Sequence, residues 1–103
     1  MNVDLHDNPK LSRYEVWADG ELAGFTTYRL HDDRITFVHT EIDRAHAGAG
    51  LGSRLARFEL DDARSRGLEI VPQCPFVAAY IGRHRDEYLD SVVPAFRDRV
   101  PAG

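Results

Sequence analysis

The sequence predicts a mixed α/β (α+β) fold: an antiparallel meander, then a parallel strand–helix–strand crossover, then a C-terminal helix. Three observations lead there. Between Tyr14 and Ile42 apolar and polar residues alternate, the period of half-buried strands. From Leu51 the period becomes helical, with Leu51, Leu55 and Phe58 on one stripe and Ala56, Leu60 and Ala63 broadening it. Between the two lies Ala47-Gly48-Ala49-Gly50-Leu51-Gly52-Ser53, with three glycines at alternate positions where a strand turns into a helix.

Taken in order, residues 1–11 are polar, carry Pro9 and show no periodicity, so they read as a loose lead-in. Tyr14 to Ala18 is a strand, and Asp19-Gly20 is a two-residue hairpin signal. The strand returning from Glu21 to Leu30 contains Phe25, Thr26, Thr27 and Tyr28, all β-formers. After a turn at His31-Asp32-Asp33, Ile35 to Ile42 forms a third strand, with Ile35, Phe37 and His39 expected on one face and Thr36, Val38 and Thr40 on the other. In the helix from Leu51, residues Glu59, Asp61 and Asp62 are expected to face water, and Gly67 stands where a C-terminal cap belongs. Leu68 to Val71 begins the next strand, and its close linkage to the helix predicts a right-handed parallel crossover. Pro72 has no N–H to give a ladder, so pairing should break there. Pro75 starts a helix carrying Val77, Tyr80 and Ile81. Tyr88, Leu89, Val92 and Val93 suggest a short packed piece, and the tail after Pro94 is expected to fray.

Composition narrows the function classes. The 103 residues fit one domain, 1–103, with a core at about 12–93. A formal charge of −4 argues against a nucleic-acid binder that relies on phosphate attraction. Cys74 is the only cysteine, which excludes an internal disulfide and any zinc site needing several thiolates. No His/Asp/Glu spacing suggests a metal. Without an apolar run of the ~20 residues a membrane span needs, or a signal peptide in the first residues, a cytoplasmic setting is expected.

The glycine stretch carries the chemistry. A helix start leaves backbone N–H groups without partners and carries partial positive charge, and glycines let a ligand approach the backbone. The combination suits a phosphate or pyrophosphate, although a tight turn without a ligand fits the same residues. A dinucleotide fingerprint fails because Ser53 stands where its third glycine belongs, and a Walker loop fails for want of a lysine. His39-Thr40-Glu41 matches half of a zinc-deaminase signature, but the second cysteine of the other half is missing.

The glycine loop, the strand feeding it and the run Val71-Pro72-Gln73-Cys74-Pro75-Phe76-Val77 with Tyr80-Ile81 together resemble the GCN5-related N-acetyltransferases, in their minimal YjdJ-like branch. The resemblance spans about Tyr14 to Val93. It implies acetyl-CoA as cosubstrate, with coenzyme A held by Ile42, Ala47, Gly48, Ala49, Gly50, Leu51, Gly52 and Ser53. It also implies a mixed sheet in which the pantetheine arm lies between two splayed parallel strands, here Ile35–Ile42 and Leu68–Cys74. The family motif opens with Arg or Gln, whereas this chain has Ala47; Arg44, His46 and Arg54 are the nearby residues able to replace that contact. His84 is followed by Arg85 where similar proteins carry proline.

Acetyl transfer to an amine needs a neutral amine, and deprotonating a lysine-like acceptor of pKa ~10.4 at neutral pH costs roughly 4–5 kcal/mol. His39, on the strand expected to line the cleft, is the candidate base. Cys74, ending the other strand, is a candidate nucleophile that His39 would activate, giving an acetyl-cysteine route beside direct attack. Tyr80 resembles the tyrosine that protonates the departing thiolate in such enzymes. Each also has a plain role: His39 as a core residue, Cys74 as a small buried hydrophobe, Tyr80 as packing. The function expected is therefore transfer of acetyl to an amine, on a small molecule or on a protein or peptide lysine, without nucleic acid or membrane partners. The alternatives are a CoA- or acyl-CoA-binding module without turnover, and a Cys74–His39 thioester hydrolase.

Overall fold

Asp19 and Gly20, both at positive φ (50° and 80°), make the tight turn whose twist suits a hairpin. It joins β2 (Arg13–Ala18) to β3 (Glu21–His31), and a turn at Asp32-Asp33 leads into β4 (Arg34–Ile42). The computed structural model describes residues 1–103 and shows one five-stranded sheet with β1 (Val3–Asn8) and β5 (Glu69–Pro72) at its edges, in the order β1-β2-β3-β4-β5. The first four strands run antiparallel. β5 joins parallel to β4 after the crossover helix α1 (Leu51–Ser65). Gly67, at φ 69°, ends that turn of chain in the left-handed conformation, and the Leu68 N–H reaches back to Ala63 O at 3.0 Å. Helices α2 (Pro75–Arg83) and α3 (Arg85–Tyr88) follow.

The helices share one apolar core with one face of the sheet. Tyr14, Val16, Ile35, Phe37 and Ile70 on the strands belong to the same buried cluster as Leu51, Leu55 and Leu60 of α1 and Val77 and Ile81 of α2. Each such side chain stabilises the fold by about 1.5–3 kcal/mol relative to exposure. Three core tyrosines turn their hydroxyls to aspartates at the edge of this layer: Tyr14 donates to Asp62, Tyr28 to Asp7 and Tyr88 to Asp61.

Two terminal segments expected to be loose are ordered. Val3–Asn8 is strand β1, paired antiparallel with β2. Its polar residues hid the alternation because they have specific partners. Asp7 accepts the Tyr28 hydroxyl at 2.7 Å, while His6 and Asn8 reach Glu15 on the face away from the helices. Past Pro94 the chain forms a 3-10 helix, Pro94–Arg99; Val100 is buried and Arg85 donates to Pro101 O at 2.8 Å.

Glu15 is the centre of that other face. Trp17 Nε1 (2.9 Å) and His6 Nε2 (3.0 Å) bond Oε1, while Arg13 Nε (2.7 Å) and Asn8 Nδ2 (3.0 Å) bond Oε2. Burial by itself would raise the carboxyl's pKa, but these hydrogen bonds outweigh it and hold the group at about 2. An unfolded glutamate titrates near ~4.3. Because the folded value is depressed, the stabilisation is present above the unfolded value and is lost as pH falls through the folded one. Glu15→Gln is therefore expected to melt below the wild type at neutral pH, and the gap should close between about pH 4 and 2. Thermal melts across that window check it; a gap that stays constant contradicts the account.

A β-bulge decides what faces the site. On β3–β4, Thr27 pairs with His39 but Tyr28 pairs with Phe37, so Val38 is an extra residue on β4. The extra residue shifts the alternation by one position. The expected sharing of a face by Ile35, Phe37 and His39 is thereby overturned. Beyond Val38, Thr40 and Ile42 continue the helix-covered face, opposite Thr26 and Gly24, while His39 and Glu41 lie on the other.

Candidate functional site

The glycine loop leaves a short 3-10 turn (Arg44–His46) and enters α1. Gly48 and Gly50 take φ 82° and 75°, the left-handed region where a Cβ is strained. Gly52 has a different purpose. A Cβ there would lie 2.8 Å from Phe76 Cζ, so glycine lets α1 pass close to the first turn of α2. At the start of α1 there is no side-chain cap and no acidic residue in the first turn. The first N–H bonded back within this turn is that of Arg54, to Gly50 O at 3.2 Å, which leaves the preceding donors of the helix start free.

Those donors open onto a pocket of about 370 Å³ lined by Ile42, Ala47, Gly48, Gly50, Leu51, Gly52 and Ser53, with His46 and Phe76 completing the wall. Of the residues expected to hold the cofactor, only Ala49 does not line it. Among the three basic side chains near the vacant Arg/Gln position, His46 is at the pocket, Arg44 is exposed on the turn, and Arg54 lines a separate hollow with Leu5 and Asp61. His46 Nδ1 stands 3.4 Å from Asp43 Oδ2 but makes no hydrogen bond there.

Beside the pocket the parallel ladder stops. β4 and β5 pair from Arg34/Glu69 to Phe37/Pro72, and one more bond, Cys74 N–H to Phe37 O at 2.8 Å, closes the edge. Val38 to Ile42 have no partner on β5, so the strands part where Pro72 breaks the ladder. Cys74 sits just past this point as the N-terminal cap residue of α2, 2 % exposed. Its Sγ lies 3.3 Å from Thr40 Oγ1, which in turn lies 2.9 Å from Thr26 Oγ1.

The structure does not hydrogen-bond His39 to Cys74. His39 is on the opposite face of β4 from Thr40, exposed, with Nε2 3.3 Å from Glu41 Oε1. Tyr80 is 4 % exposed between the helices. Its ring stacks on His84 at 4.1 Å, with Arg57 of α1 5.8 Å from the ring centroid. Phe76, on the pocket wall, lies one turn earlier on α2.

Sequence reasoning missed Thr40, Phe76 and the burial of Glu59. Only the last had a readable signal. Leu51, Leu55, Glu59 and Ala63 are spaced by four, which puts Glu59 on the apolar stripe of α1, where it is fully buried rather than facing water. No group of three or more His, Cys, Asp or Glu side chains is placed to hold a metal ion, and no helix is long and apolar enough to cross a membrane.

Comparison with known proteins places this geometry in a family. Streptothricin acetyltransferase of Streptomyces lavendulae is 43 % identical over 54 residues, a stretch that is 50 % of this chain and 29 % of that protein. The chain thus matches under a third of that relative's length. The NMR solution structure of a GCN5-like protein from Staphylococcus aureus superposes with a TM-score of 0.64 at 23 % identity, covering 89 % of both chains, and so shows the same fold. The family model for GCN5-related N-acetyltransferases matches residues 13–92. That span takes in the bulged strand, the glycine loop, the parted ladder and Cys74, and the chain belongs to the GCN5-related N-acetyltransferases.

Proposed function

We propose that the protein is an acetyl-CoA-dependent N-acetyltransferase that moves the acetyl group to an amine through an acetyl-Cys74 intermediate. The observation that carries this reading is the uncapped N-terminus of α1, opening with its glycine loop onto a pocket beside the parted β4 and β5. The first-turn N–H groups of α1 hold the pyrophosphate, helped by the helix's positive end and by His46 in place of the missing Arg or Gln. The gap past Pro72 takes the pantetheine arm and brings the thioester toward Cys74, whose sulfur stands at the positive end of α2.

The amine enters from the other face of β4. There His39 takes its proton, and Glu41 and Asp43, which line an adjoining hollow of about 220 Å³, attract a cationic acceptor. Such an acceptor is a polyamine or a peptide lysine.

Tyr80 donates a proton to the departing thiolate. Tyr80→Phe, which removes only the hydroxyl, is expected to leave coenzyme A affinity intact and slow transfer at least about tenfold. Steady-state kinetics with a binding titration check it, and an unchanged rate would return Tyr80 to packing alone.

Mass spectrometry of the intact protein with acetyl-CoA, followed by peptide mapping, tests the whole reading. An acetyl group on Cys74 that amines discharge supports it. Discharge by water alone, whatever amine is present, points to a thioester hydrolase. Binding without an adduct leaves direct attack or a CoA-binding module, which turnover separates. No binding overturns it.

A further inference from the structure

Glu59 is unusual for an acidic residue. Its carboxyl is fully buried between α1 and the sheet, and neither oxygen makes a hydrogen bond. An unpaired carboxylate in such a place is costly, so the group is held protonated unless something nearby makes ionisation useful. Burial raises its pKa to about 8; the Thr26 hydroxyl, the polar group that faces it, opposes the rise, and no charged side chain contributes.

Thr26 connects this carboxyl to the site. It is itself fully buried, and its hydroxyl is 2.9 Å from that of Thr40, which is 3.3 Å from the Cys74 sulfur. Either atom can donate in both contacts. In these two contacts the protons can therefore point one way, from Cys74 to Thr40 and from Thr40 to Thr26. The Thr26 hydroxyl faces the Glu59 carboxyl with no hydrogen bond formed, so the last transfer requires a closer approach of that pair. Since His39 makes no hydrogen bond to the thiol, this is the line of polar groups that reaches it from within the fold.

We propose that Glu59 stores the Cys74 proton. As the sulfur attacks, the thiol proton passes to Thr40, the Thr40 proton to Thr26 and the Thr26 proton to the Glu59 carboxylate. This inference rests on the acetyl-Cys74 reading. A bond forms between Cys74 Sγ and the acetyl carbon, and the thioester C–S bond breaks, its electron pair leaving on the coenzyme A sulfur, which Tyr80 protonates. When an amine discharges the acetyl group, the Cys74 sulfur departs with its electron pair and regains the proton held by Glu59. The amine's own proton goes to His39, and Tyr80 and His39 return to their starting states by exchange with water. Glu59 is thus a positioning residue for the proton and never touches substrate.

Two measurements test it, one independent of turnover. With ¹³C-labelled cysteine, the Cβ resonance of Cys74 should report the ionisation of Glu59 through the hydroxyls between them, with an inflection near pH 8 in the wild type that Glu59→Gln lacks. A Cβ resonance with the same pH dependence in Glu59→Gln as in the wild type overturns the proposal, whether or not acetyl-Cys74 ever forms.

The second measurement is the single-turnover rate of Cys74 acetylation by acetyl-CoA. In the wild type it should rise through an inflection near pH 8. Glu59→Gln and Thr40→Val should each lose that inflection and slow the rate at least about tenfold, Thr40→Ser should restore it, and the double variant should be no slower than either single one. Glu59→Leu should melt higher than the wild type, since an apolar side chain replaces an unpaired polar one, yet acetylate as slowly as Glu59→Gln. A wild-type pH profile in Glu59→Gln, or effects that multiply in the double variant, would overturn the relay. A wild type that forms no acetyl-Cys74 defeats the covalent reading, and the Cβ titration then decides the coupling on its own.

Discussion

Cys74→Ala is expected to remove the acetyl-enzyme adduct and to slow transfer to amines on the order of 10³-fold or more, the scale seen when a covalent nucleophile is lost. Coenzyme A affinity should persist, because the pocket walls come from Ile42, the glycine loop, the start of α1 and Phe76. Stability should change little, since the residue is a small buried side chain. The size of the effect follows from where the sulfur lies. The ladder between β4 and β5 ends at Phe37 and Pro72, and Cys74 is the first residue on the open side with a reactive atom. Stopped-flow transfer assays, with a binding titration of the same variant, check it. Turnover at the wild-type rate would instead mean that the amine attacks the thioester directly, with His39 as its base.

The largest effect on stability is expected from Leu55→Ala. Leu55 is fully buried midway along the inward stripe of α1, in the cluster that joins both helices to the sheet. Removing it leaves a cavity inside that cluster, for a loss of about 2–5 kcal/mol. Against a total stability of roughly 5–15 kcal/mol, that is a large share. In a domain of this size the midpoint of thermal unfolding should fall by roughly 10–30 °C. Scanning calorimetry checks it. A fall of only a few degrees would mean that the core repacks around the gap.

The central architecture was readable because each of its elements rests on a local rule. Asp19-Gly20 demanded a tight hairpin, Leu51-Leu55-Phe58 a helix, Gly67 its end, and Pro72 a break in the ladder. The pocket was readable for the same reason, since consecutive residues supply most of its wall. What escaped depends on partners distant in the chain. β1 looked like a polar lead-in because its charges and amides belong to Glu15 and Tyr28. The tail after Pro94 is ordered partly by Arg85, well before it in sequence. The bulge at Val38 leaves no mark in the alternation of β4 itself; only the register with β3 reveals it, and with it the exchange of His39 for Thr40 on the inner face. Phe76 joins the pocket because Gly52 lets α1 approach it, a contact between residues 24 positions apart.

The tyrosine–aspartate bonds make the fold sensitive to alkali. In Tyr14, Tyr28 and Tyr88, burial is the largest influence and the neighbouring aspartates add to it, so all three phenols lose their protons far less readily than free tyrosine. Their contribution to stability is complete below the unfolded value of ~10 and is withdrawn as pH climbs beyond it. Three of the chain's four tyrosines are therefore spectroscopically silent as phenolates while the core is closed. Raising the pH until their ultraviolet signal emerges would report the opening of the core itself, an intrinsic optical marker of unfolding that needs no added label.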